Sequence, residues 1–267
     1  MRRAFLVLLA AALVAAACGG DDTAGNETGP NGVDASMAEL GQWDLVVFAD
    51  RNFTPENLAD AYARRITADT GVAVEAQDFA LTGLESERIL AMIRDEAFPN
   101  LGEAVAGAEV IVVNGTPPDV DLDPCLGGSL RERGDVPAFT AEDFAPYVEV
   151  LGEIYDEIFR LRDGAPTIVR AMDFYNPWLD VWQEAGVAEA CTAAWEEFSA
   201  AAAEAAQQAG VPFVSMYDLL NGPDHDVDMR EAGYLAGSMW QASETAGDLM
   251  TDALAATGYA PVAPPGG

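Results

Sequence analysis

Residues 108–113 read Ala-Glu-Val-Ile-Val-Val, and from Val110 onward no polar residue interrupts them. Such a run offers no face to water, so it suits a parallel strand covered by helices on both sides. Working outward, Trp43–Phe48 (WDLVVF) reads as a first strand, Val72–Leu81 as a second, Pro166–Met172 as a fourth and Val211–Met216 as a fifth. Helical patterns alternate with them. Thr54 with Pro55 behind it predicts a capped helix to about Asp69, stopped by Gly71. Residues 84–95 place Leu84, Ile89, Met92 and Ile93 on one side, and 101–107 adds a short helix. Thr140 predicts the cap of a long helix to about Arg162, 188–209 is Ala-rich, and Ser243 caps a last helix ending near Ala256. Residues 114–139 read as a long loop, 178–187 as irregular, and a Gly/Asp loop follows the fifth strand. The expected fold is α/β: a five-stranded, doubly wound parallel sheet with helices on both faces, a three-layer sandwich.

In such sheets a ligand site lies at the carboxyl ends of the strands, where the strand order switches. That points to Ala49-Asp50-Arg51-Asn52 after the first strand and Asn114-Gly115-Thr116-Pro117 after the third.

The chain ends carry a different message. Arg2 and Arg3 precede fourteen apolar residues, Ala4–Ala17. That is short of the ~20 residues of a membrane span and right for a signal-peptide core. The segment closes on Ala15-Ala16-Ala17-Cys18, which resembles a bacterial lipobox, with Cys18 lipidated as the mature N-terminus; an ordinary secretory signal containing Cys is the alternative. The expected organisation is a leader at 1–17, a Gly/Asp/Asn-rich tether at 18–42, one domain at 43–260 and a tail at 261–267. Cys125 and Cys191 remain in an exported chain, most simply as a disulfide worth roughly 4 kcal/mol by loop entropy, otherwise as two buried thiols.

Charge narrows the partners. The 267 residues carry 45 acids against 13 bases, every base being Arg, with a net charge of −32. Removing the leader takes two Arg and no acid, leaving −34 (11 − 45). Nucleic acid is excluded as a partner, because phosphate binding needs clustered positive charge. Half the residues are hydrophobic, which supplies a core. A single histidine, His225, excludes a multi-His metal site, and no cofactor is expected.

The order of elements in this exported domain resembles the SGNH (GDSL-type) hydrolases, serine esterases and lipases of flavodoxin-like topology. The resemblance covers Trp43–Tyr259 and rests on position as much as identity. It implies a nucleophilic Ser in Gly-Asp-Ser after the first strand, where this chain has Ala49-Asp50-Arg51. It implies an oxyanion Gly after the second strand, matched by Gly83 in ALTG. It implies an oxyanion Asn in Gly-x-Asn-Asp, where Gly115-Thr116-Pro117-Pro118 stands, and Asp-x-x-His before the last helix, where the best register gives Ser238-Met239-Trp240-Gln241. NGPD at 221–224, the ending ALAATGYAP and the two cysteines also fit the family.

Scaffold and chemistry therefore diverge. A serine esterase needs a hydroxyl, a base and oxyanion donors. Arg51 stays protonated, Pro117 has no N–H, and Gln241 does not exchange a proton near neutral pH. Loss of Ser or His from a triad costs about a million-fold in rate. The expectation is an inactive domain in the cell envelope, held to membrane lipid through Cys18, that binds a small-molecule, glycan or envelope-protein ligand in a pocket of Asp50, Arg51, Asn52, Gly83, Asn114, Gly115, Ser238 and Gln241. The alternative is an active acyl hydrolase with a rearranged site, in which His225, flanked by Asp224 and Asp226, borrows a hydroxyl from Thr54, Thr82 or Ser86. A structural lipoprotein with a filled pocket is a third reading. Arg51 is either a fixed cation for an anionic ligand or the partner of Asp50 or another acid. The runs Asp119/Asp121/Asp123 and Asp224/Asp226/Asp228 would align carboxylates for Ca²⁺ if extended, or form solvated acidic loops. No metal site is assigned.

Overall fold

The computed structural model describes residues 37, 40–95, 99–117, 125–126, 136–237 and 240–263. The 1–17 leader, Cys18 and the Asp119/Asp121/Asp123 run lie outside them. Five parallel strands, β1 (Gln42–Phe48), β2 (Ala73–Asp78), β3 (Val110–Val113), β4 (Ile168–Met172) and β5 (Phe213–Val214), stand in the order β2-β1-β3-β4-β5. β1 pairs with both β2 and β3, in register Leu45↔Ala76 and Leu45↔Val110. The apolar run of β3 is buried at every residue, as a strand covered on both faces must be.

One face carries α1 (Leu58–Thr70) packed on α8 (Glu244–Ala256). The other carries α2 (Ser86–Arg94), α3 (Pro99–Gly107), α4 (Ala145–Arg162) and α6 (Ala188–Gln208), with α4 against α2, α3 and α6. Two short helices, α5 (Leu179–Ala185) and α7 (Met216–Asn221), complete the α/β sandwich. Among the described residues no helix is long and apolar enough to cross a membrane. The cysteines form a Cys125–Cys191 disulfide, fully buried, and the Trp182 indole N–H donates to the Cys125 carbonyl at 2.7 Å.

Several boundaries differ from expectation for physical reasons. Thr54 does not cap α1: it is buried in a turn closed by Phe53 N–H to Asp50 O, and the helix begins at Leu58. Thr140 likewise closes a turn, with its N–H and hydroxyl both on Asp143 Oδ2 (2.8 and 2.9 Å), and α4 starts at Ala145 with Pro146 in its first turn. The segment expected to be irregular holds α5, which buries Trp182 and ends on left-handed Gly186. β5 keeps two ladder residues because Ser215 caps α7, accepting from Asp218 N–H at 3.0 Å. Ser243 caps α8 as predicted. Contacts also run past the expected domain limits: the Trp43 indole donates to Met37 O at 2.9 Å, and Val262 N–H to Thr167 O at 2.8 Å.

Candidate functional site

The site is the carboxyl end of the sheet, where β1 leads into Ala49-Asp50-Arg51. Backbone bonds continue past the strand: Leu81 N–H donates to Ala49 O (3.1 Å) and Arg51 N–H to Leu81 O (3.0 Å). They hold the loop after β2 beside the turn after β1. The Asp50 carboxylate is 2 % exposed, and its Oδ1 accepts from Asn52 N–H (2.8 Å) and Gly83 N–H (3.1 Å). Burial raises its proton affinity above the ordinary carboxylate value, and the two N–H donors oppose that rise. Gly83 adopts φ +63°, a conformation glycine takes without penalty, and its N–H is thereby aimed at Asp50.

Arg51 turns toward the β2 edge. Its guanidinium bonds Asp78 Oδ2 at 2.9 Å, with longer bonds to Ala80 O (3.3 Å) and Glu56 O (3.4 Å). Of the two roles open to it from sequence, the geometry matches pairing with an acid, and that acid is Asp78. Phe53 goes the other way, into a cage of Phe174, Tyr175, Trp178 and Trp195 at centroid distances of 4.9 to 6.5 Å. Trp240 stacks edgewise on Trp178, and its carbonyl accepts the Tyr175 hydroxyl at 2.7 Å. An aromatic cluster thus fills the strand-end space beside β4.

The remaining expected residues are divided among other tasks. Asn114 is buried, and its amide donates to Met172 O (3.3 Å) and Asp173 O (2.7 Å), tying the end of β3 to the end of β4. Gly115 accepts the Tyr147 hydroxyl at 2.8 Å, and a side chain there would meet Ser86 Oγ at 2.6 Å. Pro117 is half-buried. Gln241 accepts from Ala236 N–H at 2.8 Å in a small hairpin bridged at Leu235 and Ala242. Ser238 lies outside the described residues. The structure therefore gathers Asp50, Arg51, Asn52 and Gly83 around one turn, and commits Asn114 and Gly115 to β4 and α4.

The fold is similar to that of a lipase from a goat rumen metagenome, at TM-score 0.57 and 19% identity, covering 82% of this chain and 98% of that one. The chain shares the α/β fold of that lipase. A lipase/acylhydrolase from Enterococcus faecalis (13% identity, 80% of this chain, 94% of that one) and a candidate SGNH hydrolase from Slackia heliotrinireducens (11%, 81% and 98%) both superpose at TM-score 0.49. No protein-family model matches the chain, and no curated protein matches it.

The residue that sequence reading missed is Asp173, just past β4. It is 1 % exposed and accepts from the Ser199 and Ser215 hydroxyls and from Met216 and Tyr217 N–H. Burial outweighs these donors and pushes its carboxyl up to about 6. A signal was available: an acid ending an apolar strand, in the sheet position where ligand sites form. His225 sits apart from the Arg51 turn. Its ring stacks on Tyr217 at 3.8 Å, and its nitrogens face Glu196 and Asp218. The hydroxyls weighed as its partners are elsewhere: Ser86 donates to Thr116 O, and Thr54 Oγ1 is buried without a hydrogen bond. The Asp224/Asp226/Asp228 run is not extended, since His225 takes φ +55° and Asp228 closes a turn onto Arg230 and Glu231 N–H. Among the described residues no group of three or more His, Cys, Asp or Glu is placed to hold a metal.

Proposed function

We propose that this chain is an exported, lipid-anchored SGNH hydrolase-like protein that lacks serine-esterase chemistry and works by binding a ligand or an envelope partner. The observation that carries the reading is the turn after β1: the residue at the nucleophile position is an arginine held by Asp78, and the neighbouring Gly83 N–H is engaged by Asp50. A guanidinium cannot attack an acyl carbon, and an N–H bonded to a carboxylate is a poor donor to a developing oxyanion. The aromatic filling around Phe53 directs binding to the rim of the strand ends, where a glycan or other small molecule, or an envelope protein, would be met.

Short-chain nitrophenyl esters test the chemistry. Hydrolysis at the buffer rate is expected, unchanged in His225→Ala. Turnover that disappears in that variant would overturn the inactive reading and establish the acyl hydrolase built on His225. The anchor is tested separately: wild type partitions with membranes, and Cys18→Ala is released. Because the chain contains no Lys, an amine-reactive dye reads only the mature N-terminus. Retention of Cys18→Ala in the membrane fraction refutes the lipid anchor.

A further inference from the structure

The chain's single imidazole bridges two elements. His225 Nδ1 lies 3.2 Å from Glu196 Oε1 on α6, and Nε2 lies 2.8 Å from Asp218 Oδ1 on α7. The ring is mostly buried, with 15 % of the side chain exposed, while both carboxylates are more than half exposed. Tyr217 holds the ring flat, 13° from parallel. His225 itself has φ +55°, so the backbone is bent to present the ring between the two acids. The charged and titratable groups around it are Glu196 from α6, Tyr217 and Asp218 from α7, Asp224 and Asp226 on its own loop, and Asp173 on the far side of Tyr217. Burial raises the Tyr217 phenol, which keeps it neutral. Among the described residues neither Glu196 nor Asp218 is ion-paired with an Arg.

An imidazolium donates from both nitrogens at once, whereas neutral imidazole has one donor and one acceptor. With two carboxylates in place, only the protonated ring satisfies both contacts; the neutral ring turns a lone pair toward one of them. We propose that His225 is a pH-sensed latch, whose imidazolium ties Glu196 to Asp218 and whose deprotonation loosens segment 222–234 at the rim of the strand-end site. The segment is also pinned at Asn221, whose amide donates to Val227 O and Asn176 O, at Arg230, whose guanidinium reaches Asp180 at 3.4 Å, by core-buried Met229, and by Ser243, whose hydroxyl and N–H donate to Gly233 O and Tyr234 O. Histidine is the side chain whose charge changes between pH 5 and 8.

Hydrogen–deuterium exchange of the full-length chain between pH 5.5 and 8, corrected for intrinsic exchange, tests the latch. Protection of amides in 222–234 is expected to fall about threefold across that range, the scale of a partly exposed ion pair. His225→Asn keeps a residue tolerant of positive φ and removes the titration, so its protection should be flat with pH. The double variant Glu196→Gln/Asp218→Asn keeps the histidine, removes its partners, and should be flat as well. A flat wild-type profile, or the wild-type slope persisting in both variants, would refute the latch. Because Asp173 also titrates in this range, a slope lost in the double variant alone would assign the effect to the carboxylates and overturn the role of His225.

Discussion

Two carboxylates stand at the strand ends of this sheet, and they are used differently. Asp50, after β1, accepts two backbone N–H groups and fixes the turn and loop around it. Asp173, after β4, accepts four donors drawn from α6 and from the start of α7. Both are buried and both have raised proton affinity with desolvation as the leading cause. Asp50 ties the turn after β1 to the loop after β2, whereas Asp173 joins the end of β4 to both α6 and the start of α7. Both carboxylates fasten backbone groups at the carboxyl end of the sheet, and Asp173 also takes two side-chain hydroxyls.

The comparison breaks most directly by truncation. Asp173→Ala leaves two buried N–H groups and two half-buried hydroxyls without their acceptor and should destabilise by about 3 kcal/mol; Asp50→Ala frees two N–H groups and should cost about 1–2 kcal/mol. Urea unfolding midpoints at pH 7 measure both, and equal losses would mean that Asp173 is no more central than Asp50. The pH response sharpens the contrast. A carboxyl raised from 3.8 to about 6 favours the fold while protonated. Its contribution is fully present below about pH 4 and is lost as pH rises through about 6. Wild type should therefore be stabilised relative to Asp173→Asn by roughly 2 kcal/mol more at pH 4 than at pH 7. Melting temperatures of the pair across that range check the sign, and a difference that grows with pH would show that the four donors outweigh burial.

Among the described glycines, Gly115 leaves the least room for a side chain. An alanine there would bring its methyl to 2.6 Å from Ser86 Oγ and 2.8 Å from Ile89 Cδ1. Overpacking of that kind costs about 1–3 kcal/mol, readable as a lowered melting temperature. A neutral Gly115→Ala would mean that α2 can shift away from β3.

Why some of this was legible in the sequence and some was not follows from where each signal resides. β3 was legible because VIVV has no polar alternation and its burial on both faces is a local property. Ser243 was legible because its cap bond to Ala246 is three residues away. Thr54 misled because Phe53 is drawn into a cage built by residues 174–195, a tertiary pull that overrides the local Thr-Pro start signal. Trp178 and Trp182 have helical spacing, but the short length of α5 hid it. Arg51 and Gly83 could be placed at the turn from strand order alone. Their partners could not, since Asp78 and Asp50 lie 27 and 33 residues away and compete with 43 other acids. Asp173 stood in plain view at a strand end, but its four donors become visible only when α6 and α7 are folded against β4.

The smallest effect is expected where the family resemblance draws the eye first. Arg51→Ser places a hydroxyl where the resemblance puts the nucleophile and removes one ion pair. Both side chains of that pair are about 30 % exposed (30% and 29%). Such a pair is worth about 0.5 kcal/mol, so the unfolding midpoint should hardly move. Ester turnover should stay at background too: the new hydroxyl would have no base, since His225 is engaged by Glu196 and Asp218, and Gly83 N–H would remain on Asp50. A nitrophenyl-acetate assay on Arg51→Ser, run beside its unfolding curve, separates the cases. Turnover with unchanged stability would mean that a base and an oxyanion donor survive at the strand ends, and that Arg51 alone keeps the site silent. A large loss of stability would instead make the Arg51–Asp78 pair a structural fastening comparable to Asp50 and Asp173.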